Sequence, residues 1–171
     1  NRDSLVRALA GTQVVIHLGA AVSVPDPRIN HEVNVVGTRN LMEACAINGV
    51  ERVIAYSSVS AKRHQAGAYA QSKKQSEAIL FDGPAGVTVF RPDIIFGNGS
   101  GGLRKIIGQI RAYPLVIPMV GNGAILRQPV YVRDIVRLTA DTIDIPRSFG
   151  KAYDVGGPSK IAFRDFVLMV A

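Results

Sequence analysis

A tyrosine and a lysine four residues apart, Tyr69 and Lys73, are the residues of this sequence best suited to chemistry. Residues 68–80 consist of good helix formers without Gly or Pro, which predicts a helix. Residues four apart share one face of a helix, so the two side chains project side by side. A phenol titrates near pKa ~10, and a neighbouring ammonium favours its ionised form. The pair therefore predicts proton exchange with a substrate hydroxyl or carbonyl, as in oxidation and reduction at carbon.

The segments on either side of this helix strengthen the interpretation, because the Tyr/Lys spacing alone recurs by chance on surface helices. The apolar run 52–56 reads as a strand, and it ends in Ser57 and Ser58. A short polar connection leads from these serines to the helix, and a second apolar strand, 87–90, follows it. Reactive groups at the carboxyl ends of parallel strands are typical of sites in α/β proteins.

The rest of the chain alternates between the same two kinds of element. Further helices are predicted at 3–9, 34–48, 103–112, 132–143 and 163–169, and strands at 14–18, 50–56, 87–90 and 152–155. This alternation predicts an α/β fold: a Rossmann-like, doubly wound parallel sheet with a smaller α/β substrate lobe. We expect residues 1–97 to form the partial dinucleotide-binding domain. Residues 98–171 would be mainly the substrate lobe, and within it segment 128–145 could pack back on the sheet. An extended run is expected at 115–117 and a hairpin turn at 121–123.

Two stretches of small residues bear on nucleotide binding. Gly19, Ala20 and Ala21 follow the first strand, where they allow either close approach of a cofactor or tight helix–strand packing. Residues 98–102 read as a flexible linker. The glycine-rich run 97–102 follows a strand with no helix expected immediately after it, which argues against a phosphate loop there. No Gly-x-Gly-x-x-Gly follows an N-terminal strand. We therefore expect the first strands of the fold and its Gly-rich loop to lie before Asn1.

Composition narrows the functional classes. The 171 residues are 47% apolar, but no run approaches the ~20 apolar residues of a membrane helix. The single cysteine, Cys45, lies in an apolar helical pattern, which predicts a packed thiol and favours a reducing compartment such as the cytoplasm. The net charge of +7 comes from scattered arginines with few aromatics, which argues against nucleic acid binding and suits small anions. No metal site is expected.

Several motifs occur in an order that resembles one family. They are Val-Ile-His-Leu-Gly-Ala-Ala at 15–21, Asn-Val-Val-Gly-Thr-Arg-Asn-Leu at 34–41, the serines at 57–58, Tyr-x-x-x-Lys at 69–73, Arg-Pro-Asp-Ile-Ile-Phe-Gly at 91–97, Pro-Val-Tyr-Val-Arg-Asp-Ile at 129–135 and Tyr-Asp-Val-Gly-Gly-Pro at 153–158. Together they resemble the extended short-chain dehydrogenase/reductase family, in its NAD-dependent epimerase/dehydratase group. The resemblance covers nearly the whole chain.

The resemblance implies a role for each matching residue. Tyr69 would be the acid–base group, Lys73 would lower its pKa and bind the nicotinamide ribose, and Ser58 would hydrogen-bond the reacting oxygen, with Ser57 or Ser60 as alternatives. The residues implied in binding NAD or NADP are Leu18, Gly19, Ala20, Asn34, Tyr56, Ser57, Lys73, Pro92, Asp93 and Ile94. Arg127 falls where sugar-nucleotide members keep an arginine for the substrate diphosphate, whose oxygens suit the guanidinium fork.

The function implied is that of an NAD(P)-dependent oxidoreductase, epimerase or dehydratase. It would act on a hydroxyl or carbonyl carbon of a nucleotide-sugar-like small molecule, as a homodimer. The chain also resembles the atypical branch near the 39-kDa subunit of respiratory complex I. The connection between Ser58 and Tyr69 lacks the Val-Tyr-Gly element of sugar epimerases. In addition, Ile94 stands where several sugar epimerases have a polar residue. The alternative is therefore a non-catalytic nucleotide-binding subunit. The retained Ser58, Tyr69 and Lys73 favour chemistry.

Overall fold

The computed structural model describes residues 1–22, 24–63, 67–112 and 122–170. The chain divides into two compact units, the first made of Asn1–Arg91 with Thr139–Asp154 and the second of Pro92–Leu138 with Val155–Ala171. The division falls at Arg91, a few residues before the boundary predicted at Gly97, and the chain re-enters the first unit at Thr139. The predicted extended run 115–117 and the start of the turn at 121–123 lie outside the described residues.

Helices and strands alternate along the chain as the periodicity predicts. In order they are α1 (Arg2–Ala8), β1 (Val14–His17), α2 (Pro27–Asn30), a π-helical turn (His31–Val36), α3 (Gly37–Asn48), β2 (Arg52–Tyr56), a 3-10 turn (Val59–Lys62), α4 (Ala68–Phe81), β3 (Gly86–Pro92), β4 (Ile95–Phe96), α5 (Gly101–Ala112), β5 (Leu126–Arg127), β6 (Val130–Tyr131), α6 (Val132–Thr142), a second 3-10 turn (Pro146–Ser148), β7 (Lys151–Val155), β8 (Ile161–Ala162) and α7 (Phe163–Val170).

The main sheet has the strand order β1-β2-β3-β7, and β1, β2 and β3 run parallel. The middle of the central strand β2 is apolar because it is covered on both faces: Val53, Ile54 and Ala55 have no exposed surface. The apolar side chains packed around it come from α3, α4 and β3, and are Leu41, Met42, Cys45, Leu80, Val87 and Val89. Cys45 is a buried free thiol, so the prediction of a packed cysteine is confirmed.

Arg52, the first residue of β2, is a buried guanidinium with 4% of its surface exposed. It donates to the carbonyls of Gly86, Thr142 and Ile143 and to the hydroxyls of Thr88 and Ser148, at 2.6 to 3.1 Å. The ring of Phe149 covers the guanidinium at 4.5 Å. These bonds fix residues 142–149 to the sheet, and burial lowers the pKa of Arg52.

The second unit contains two short strand pairs, β4 with β6 in parallel and β5 with β8 in antiparallel orientation. The helix predicted at 103–112 is present but begins two residues earlier, at Gly101, so the last two residues of the predicted linker 98–102 are helical. Ser100 explains this start: its hydroxyl donates to Ile95 O at 2.9 Å and accepts from Leu103 N at 3.2 Å, which caps the helix. No helix within the described residues is long and apolar enough to cross a membrane.

Candidate functional site

Helix α4 places Lys73 at the carboxyl end of β2. Lys73 Nζ donates to the main-chain carbonyl of Tyr56, the last residue of that strand, at 2.6 Å. The side chain is buried, with 4% exposure, and this is its one hydrogen bond within the described residues. Because an ammonium has three donors, two remain for a ligand.

Ser58 and Tyr69 meet beside this lysine. Ser58 follows β2 by two residues and caps the 3-10 turn, accepting from Ser60 N at 3.2 Å. Its hydroxyl also forms a hydrogen bond that lowers the pKa of Tyr69. The tyrosine implied as the acid–base group is thus influenced by the serine implied to hydrogen-bond the reacting oxygen. Ser60 reaches the same place only through Ser58, whose Oγ accepts from Ser60 Oγ at 2.9 Å.

The pKa of Tyr69 moves in the direction opposite to the prediction. Burial raises it, and the hydrogen bond from Ser58 lowers it by less. The expected lowering by Lys73 is not seen: the lysine donates to the Tyr56 carbonyl and is not among the groups that shift the pKa of Tyr69. The pKa of Lys73 is lowered by burial and raised again, by less, by the carboxylate of Glu77 one turn later. At neutral pH the phenol is thus in its protonated form.

Glu77 forms a buried ion pair that the sequence analysis did not identify. Its carboxylate accepts three hydrogen bonds from Arg91 of β3, at 2.5 to 3.1 Å, and the side chain is 8% exposed. Arg91 also lies 3.8 Å from Asp154 of β7, which pairs with Lys62 at 2.7 Å. The sequence contained one sign that Glu77 belongs to the site: it lies four residues after Lys73, and residues four apart on a helix share a face.

Asn34 connects the turn after β1 to helix α4. Its side chain accepts from Ala21 N at 2.7 Å and donates to Ala21 O at 3.2 Å and to Ser72 Oγ at 2.9 Å. Its own carbonyl accepts from the hydroxyls of Ser76 and Thr38. Asn34 is 2% exposed and lies within the π-helical turn, a conformation often found at functional sites. It therefore supports the predicted cofactor region by holding backbone, with its own side-chain groups already bonded.

The turn after β1 is open rather than tightly packed. Leu18 is 63% exposed, and a Cβ added to Gly19 would meet only the His17 ring, at an ordinary 3.6 Å. Of the two explanations for the small residues here, tight helix–strand packing is not what the structure shows. Leu18, Gly19 and Ala20 leave accessible surface at the end of β1.

His17, the last residue of β1, is a partly buried imidazole that the sequence analysis did not single out. Burial and the positive charge of Lys73 together lower its pKa from 6.5 to about 4. Its Nε2 lies 3.4 Å from Thr38 Oγ1, and that hydroxyl donates its proton to Asn34 O at 2.6 Å. Nε2 therefore carries the hydrogen, and the ring is neutral at physiological pH.

We expect this histidine to make folding pH-dependent. His17 takes up a proton near pH 6.5 in the unfolded chain and only near pH 4 in the folded chain. Its contribution to the free energy of unfolding is therefore fully present above pH 6.5 and is lost as the pH falls toward 4. The loss is up to about 3 kcal/mol. Urea unfolding of wild type and His17→Gln across this interval measures it, since the amide keeps a donor for Thr38 but does not titrate. Equal pH dependence in both proteins would contradict the assignment.

Ser57 has a buried hydroxyl that a ligand could satisfy. Its hydroxyl is buried and has no hydrogen-bond partner among the described residues. Buried polar groups are usually satisfied, and this one lies at the carboxyl end of β2, between Tyr56 and Ser58. Together with the free donors of Lys73 and the open turn after β1, it fits a polar ligand such as a nicotinamide nucleotide.

The remaining predicted residues, Pro92, Asp93, Ile94 and Arg127, belong to the second unit. Asp93 pairs with Arg127 at 2.5 Å and accepts from Gln128 N at 2.8 Å. Arg127 Nε is buried and has no hydrogen-bond partner in the described part of the chain. The arginine predicted to bind a diphosphate is thus paired with a carboxylate that was itself predicted to line the cofactor. Pro92 is buried and Ile94 partly so.

A cavity of about 400 Å³ also lies in the second unit. It is lined by Ile95, Val132 and the turn 98–102. Across the described ranges, no group of three or more His, Cys, Asp or Glu side chains is placed to hold a metal ion.

Comparison with known proteins identifies similar chains. The family model "NAD dependent epimerase/dehydratase family" matches residues 1–156. The N-acetyl-alpha-D-glucosaminyl-diphospho-ditrans,octacis-undecaprenol 4-epimerase of Escherichia coli O157:H7 is 31% identical over 80% of this chain and 47% of its own length. The NADH dehydrogenase [ubiquinone] 1 alpha subcomplex subunit 9 of Arabidopsis thaliana mitochondria is 25% identical over 92% of this chain and 40% of its own length.

A solved structure has the same fold. MoeE5 in complex with UDP-glucose and NAD superposes with a TM-score of 0.85 at 26% identity, covering 100% of this chain and 66% of MoeE5. This confirms the predicted Rossmann-like α/β fold. The chain spans less than half the length of the two curated relatives named above.

Proposed function

Because this chain belongs to the NAD-dependent epimerase/dehydratase family, we propose that Tyr69 acts as an acid–base group in NAD(P)-dependent oxidation and reduction. The substrate carbon carries a hydroxyl or carbonyl. An epimerase or dehydratase returns the hydride within one catalytic cycle, whereas a reductase releases the oxidised cofactor. One observation carries the proposal: helix α4 bears Tyr69 and Lys73 one turn apart, and Lys73 Nζ is anchored on Tyr56 O at the carboxyl end of β2, two residues before Ser58.

Each residue of this set has a defined task. Tyr69 gives its proton to a substrate carbonyl oxygen, or takes the proton of a substrate hydroxyl once the phenol is ionised. A hydrogen bond with Ser58 lowers the pKa of the phenol, and Ser58 is proposed to donate to the same substrate oxygen. The buried ammonium of Lys73 offers two donors to a ribose. Bound NAD(P)+ supplies the acceptor for the hydride that leaves the substrate carbon.

The residues proposed to hold the cofactor divide into two kinds. Lys73 and Ser57 bring unused polar groups, and the exposed backbone of Leu18, Gly19 and Ala20 offers a surface for the adenosine side. Asn34 acts indirectly, because its side chain is occupied by Ala21 and Ser72. Tyr56 contributes its carbonyl as the anchor of Lys73. Pro92, which ends β3, and the next two residues, Asp93 and Ile94, are proposed to abut the nicotinamide.

We propose a nucleotide sugar as the substrate class, with NAD as the first cofactor to test. In support, MoeE5 was solved with UDP-glucose and NAD, and the Escherichia coli relative is named as an epimerase of a diphospho-linked sugar. Arg127 is the residue proposed to meet the diphosphate, and doing so requires it to exchange Asp93 for phosphate oxygens. Cytoplasmic location and a homodimer remain predictions from the sequence.

The test is to purify the protein and identify any retained nucleotide by mass spectrometry, then titrate NAD and NADP by calorimetry. We expect one of the two to bind, and a panel of UDP- and dTDP-sugars to produce the absorbance of reduced nicotinamide with at least one member. Absence of both binding and reduction in the full-length protein would overturn the proposal.

Lys73→Met is expected to weaken nucleotide binding, because it removes the donors assigned to the ribose.

A second candidate function is a non-catalytic nucleotide-binding subunit. The complex I relative, which matches 92% of this chain, and the raised pKa of Tyr69 favour it. In that case nucleotide binds without hydride transfer to any substrate, and Tyr69→Phe changes neither binding nor stability. Turnover that depends on Tyr69 excludes this alternative.

A further inference from the structure

A chain of three hydrogen bonds joins the turn after β1 to the backbone of Tyr69. Asn34 Oδ1 accepts from Ala21 N at 2.7 Å, and Asn34 Nδ2 donates to Ser72 Oγ at 2.9 Å. Ser72 Oγ in turn donates to the main-chain carbonyl of Tyr69 at 2.8 Å. We infer that Ser72 is a positioning residue, which holds the helical turn that bears Tyr69 in a fixed relation to the turn that follows β1.

The hydrogen-bonding groups of the two side chains make this connection specific. The amide oxygen of Asn34 and both of its N–H groups are engaged, by Ala21 N, Ala21 O and Ser72 Oγ. The single proton of Ser72 goes to Tyr69 O, while its oxygen accepts from Asn34. Asn34 is 2% exposed and Ser72 3%, so bulk water has no access to either side chain. Loss of the Ser72 hydroxyl therefore leaves a buried N–H group of Asn34 without its acceptor.

Tyr69 lies in the first turn of α4, and this turn depends on such a tether. The helix begins at Ala68, and its N-cap residue, Gly67, has no side chain that could accept from the first N–H groups. Uncapped helix ends fray, because their N–H groups have no partner within the helix. A serine hydroxyl that donates to the carbonyl three residues earlier is common in helices and fixes nothing outside the helix. Here Asn34 binds the same hydroxyl, and so ties it to another element.

Ser76, one turn further along α4, provides a matched comparison. It is equally buried, at 3%, and its hydroxyl lies 2.7 Å from Ser72 O and 2.5 Å from Asn34 O. These contacts hold α4 against the π-helical turn, but they bond directly to neither the turn after β1 nor the backbone of Tyr69. Asn34 O also accepts from Thr38 Oγ1 at 2.6 Å, so it keeps a partner when Ser76 is truncated. The two serines thus differ in what they connect and not in burial.

The inference rests on the proposed function in one respect, because the nucleotide is proposed to contact the turn after β1. A nucleotide that orders this turn also stabilises the first turn of α4, through Asn34 and Ser72. By thermodynamic reciprocity, a loosened first turn weakens nucleotide binding by the same factor. For the loss of one hydrogen bond we expect Ser72→Ala to bind NAD roughly three- to tenfold more weakly. Ser72→Thr keeps the hydroxyl and should bind NAD as tightly as wild type.

The experiment is hydrogen–deuterium exchange of the full-length protein, followed by mass spectrometry of peptides that contain residues 17–22 and 68–76. Without nucleotide, we expect faster exchange in both segments of Ser72→Ala, wild-type exchange in Ser72→Thr, and an unchanged segment 17–22 in Ser76→Ala. Residues 52–56 of the central strand should exchange alike in every protein. Unchanged exchange in Ser72→Ala, a faster segment 17–22 in Ser76→Ala, or faster exchange that extends to 52–56 overturns the inference.

The same measurement at saturating NAD separates this inference from the proposed function. We expect NAD to slow exchange in both segments of wild type, but only in segment 17–22 of Ser72→Ala. If NAD does not bind while Ser72→Ala still speeds both segments, the proposed function fails and the positioning role stands. If NAD slows both segments equally in wild type and in Ser72→Ala, the positioning role fails alone.

Turnover provides a second readout. We expect kcat to fall in Ser72→Ala and to return in Ser72→Thr, with the KM of the sugar substrate unchanged, because Tyr69 is proposed to act in the reaction and not in sugar binding. Ser76→Ala should keep the wild-type kcat. A raised KM with an unchanged kcat in Ser72→Ala contradicts the positioning role.

Discussion

Tyr69→Phe is expected to reduce kcat by roughly two to four orders of magnitude, the usual contribution of a positioned acid–base group. The substitution removes one oxygen atom and leaves a ring of the same shape on α4. Nucleotide binding should stay at the wild-type level, because the ribose contacts are assigned to Lys73 rather than to the phenol. The measurement is steady-state turnover of the best nucleotide sugar, with calorimetric titration of the nucleotide.

A matched control separates chemistry from packing. Tyr153→Phe makes the same change in an exposed tyrosine whose ring packs against Phe90, and it should leave turnover unchanged. If Tyr69→Phe and Tyr153→Phe behave alike, Tyr69 is not the acid–base group. Loss of nucleotide binding in Tyr69→Phe would instead indicate a structural role for the phenol.

The ion pair between Glu77 and Arg91 should have the largest effect on stability. Arg91→Met leaves the buried carboxylate of Glu77 without its three hydrogen bonds, which costs about 3–5 kcal/mol for a buried pair of this kind. The carboxylate of Glu77 also raises the pKa of Lys73. We therefore expect the neutral variant Glu77→Gln to lower the pKa of that lysine. Urea unfolding of the variants at neutral pH measures the first effect.

Two further proteins test the interpretation of this pair. In the double variant Glu77→Gln/Arg91→Met no charge is left unpaired at this position, so we expect part of the stability lost in Arg91→Met to return. Lys62→Met breaks an exposed bridge to Asp154 and should cost less than about 1 kcal/mol. If the losses of stability in Glu77→Gln and Arg91→Met simply add up in the double variant, the carboxylate and the guanidinium are not coupled.

Much of the fold and the centre of the site follow from local sequence patterns. The strand Arg52–Tyr56 is apolar after its first residue, and Tyr69 and Lys73 lie one helical turn apart, so both could be predicted without coordinates. The start of α5 was mispredicted because a glycine-rich run resembles a linker. The capping bonds of Ser100 that allow a helix there were not considered.

The features that sequence reasoning missed depend on contacts between distant parts of the chain. The bonds of Arg52 reach carbonyls about ninety residues away, and no spacing rule indicates them. The pairing of Asp93 with Arg127 has the same origin. The direction of the Tyr69 pKa shift depends on how fully the folded chain removes the phenol from water, whereas sequence spacing shows only that an ammonium is near.

Single-turnover reduction of bound nucleotide tests the central claim most directly. The protein is loaded with its nucleotide, mixed with a nucleotide sugar in a stopped-flow instrument, and followed by the absorbance of reduced nicotinamide. The account predicts a burst of reduced nicotinamide in wild type that is lost in Tyr69→Phe, with the same amount of nucleotide bound in both. A burst of equal rate and size in Tyr69→Phe would contradict it.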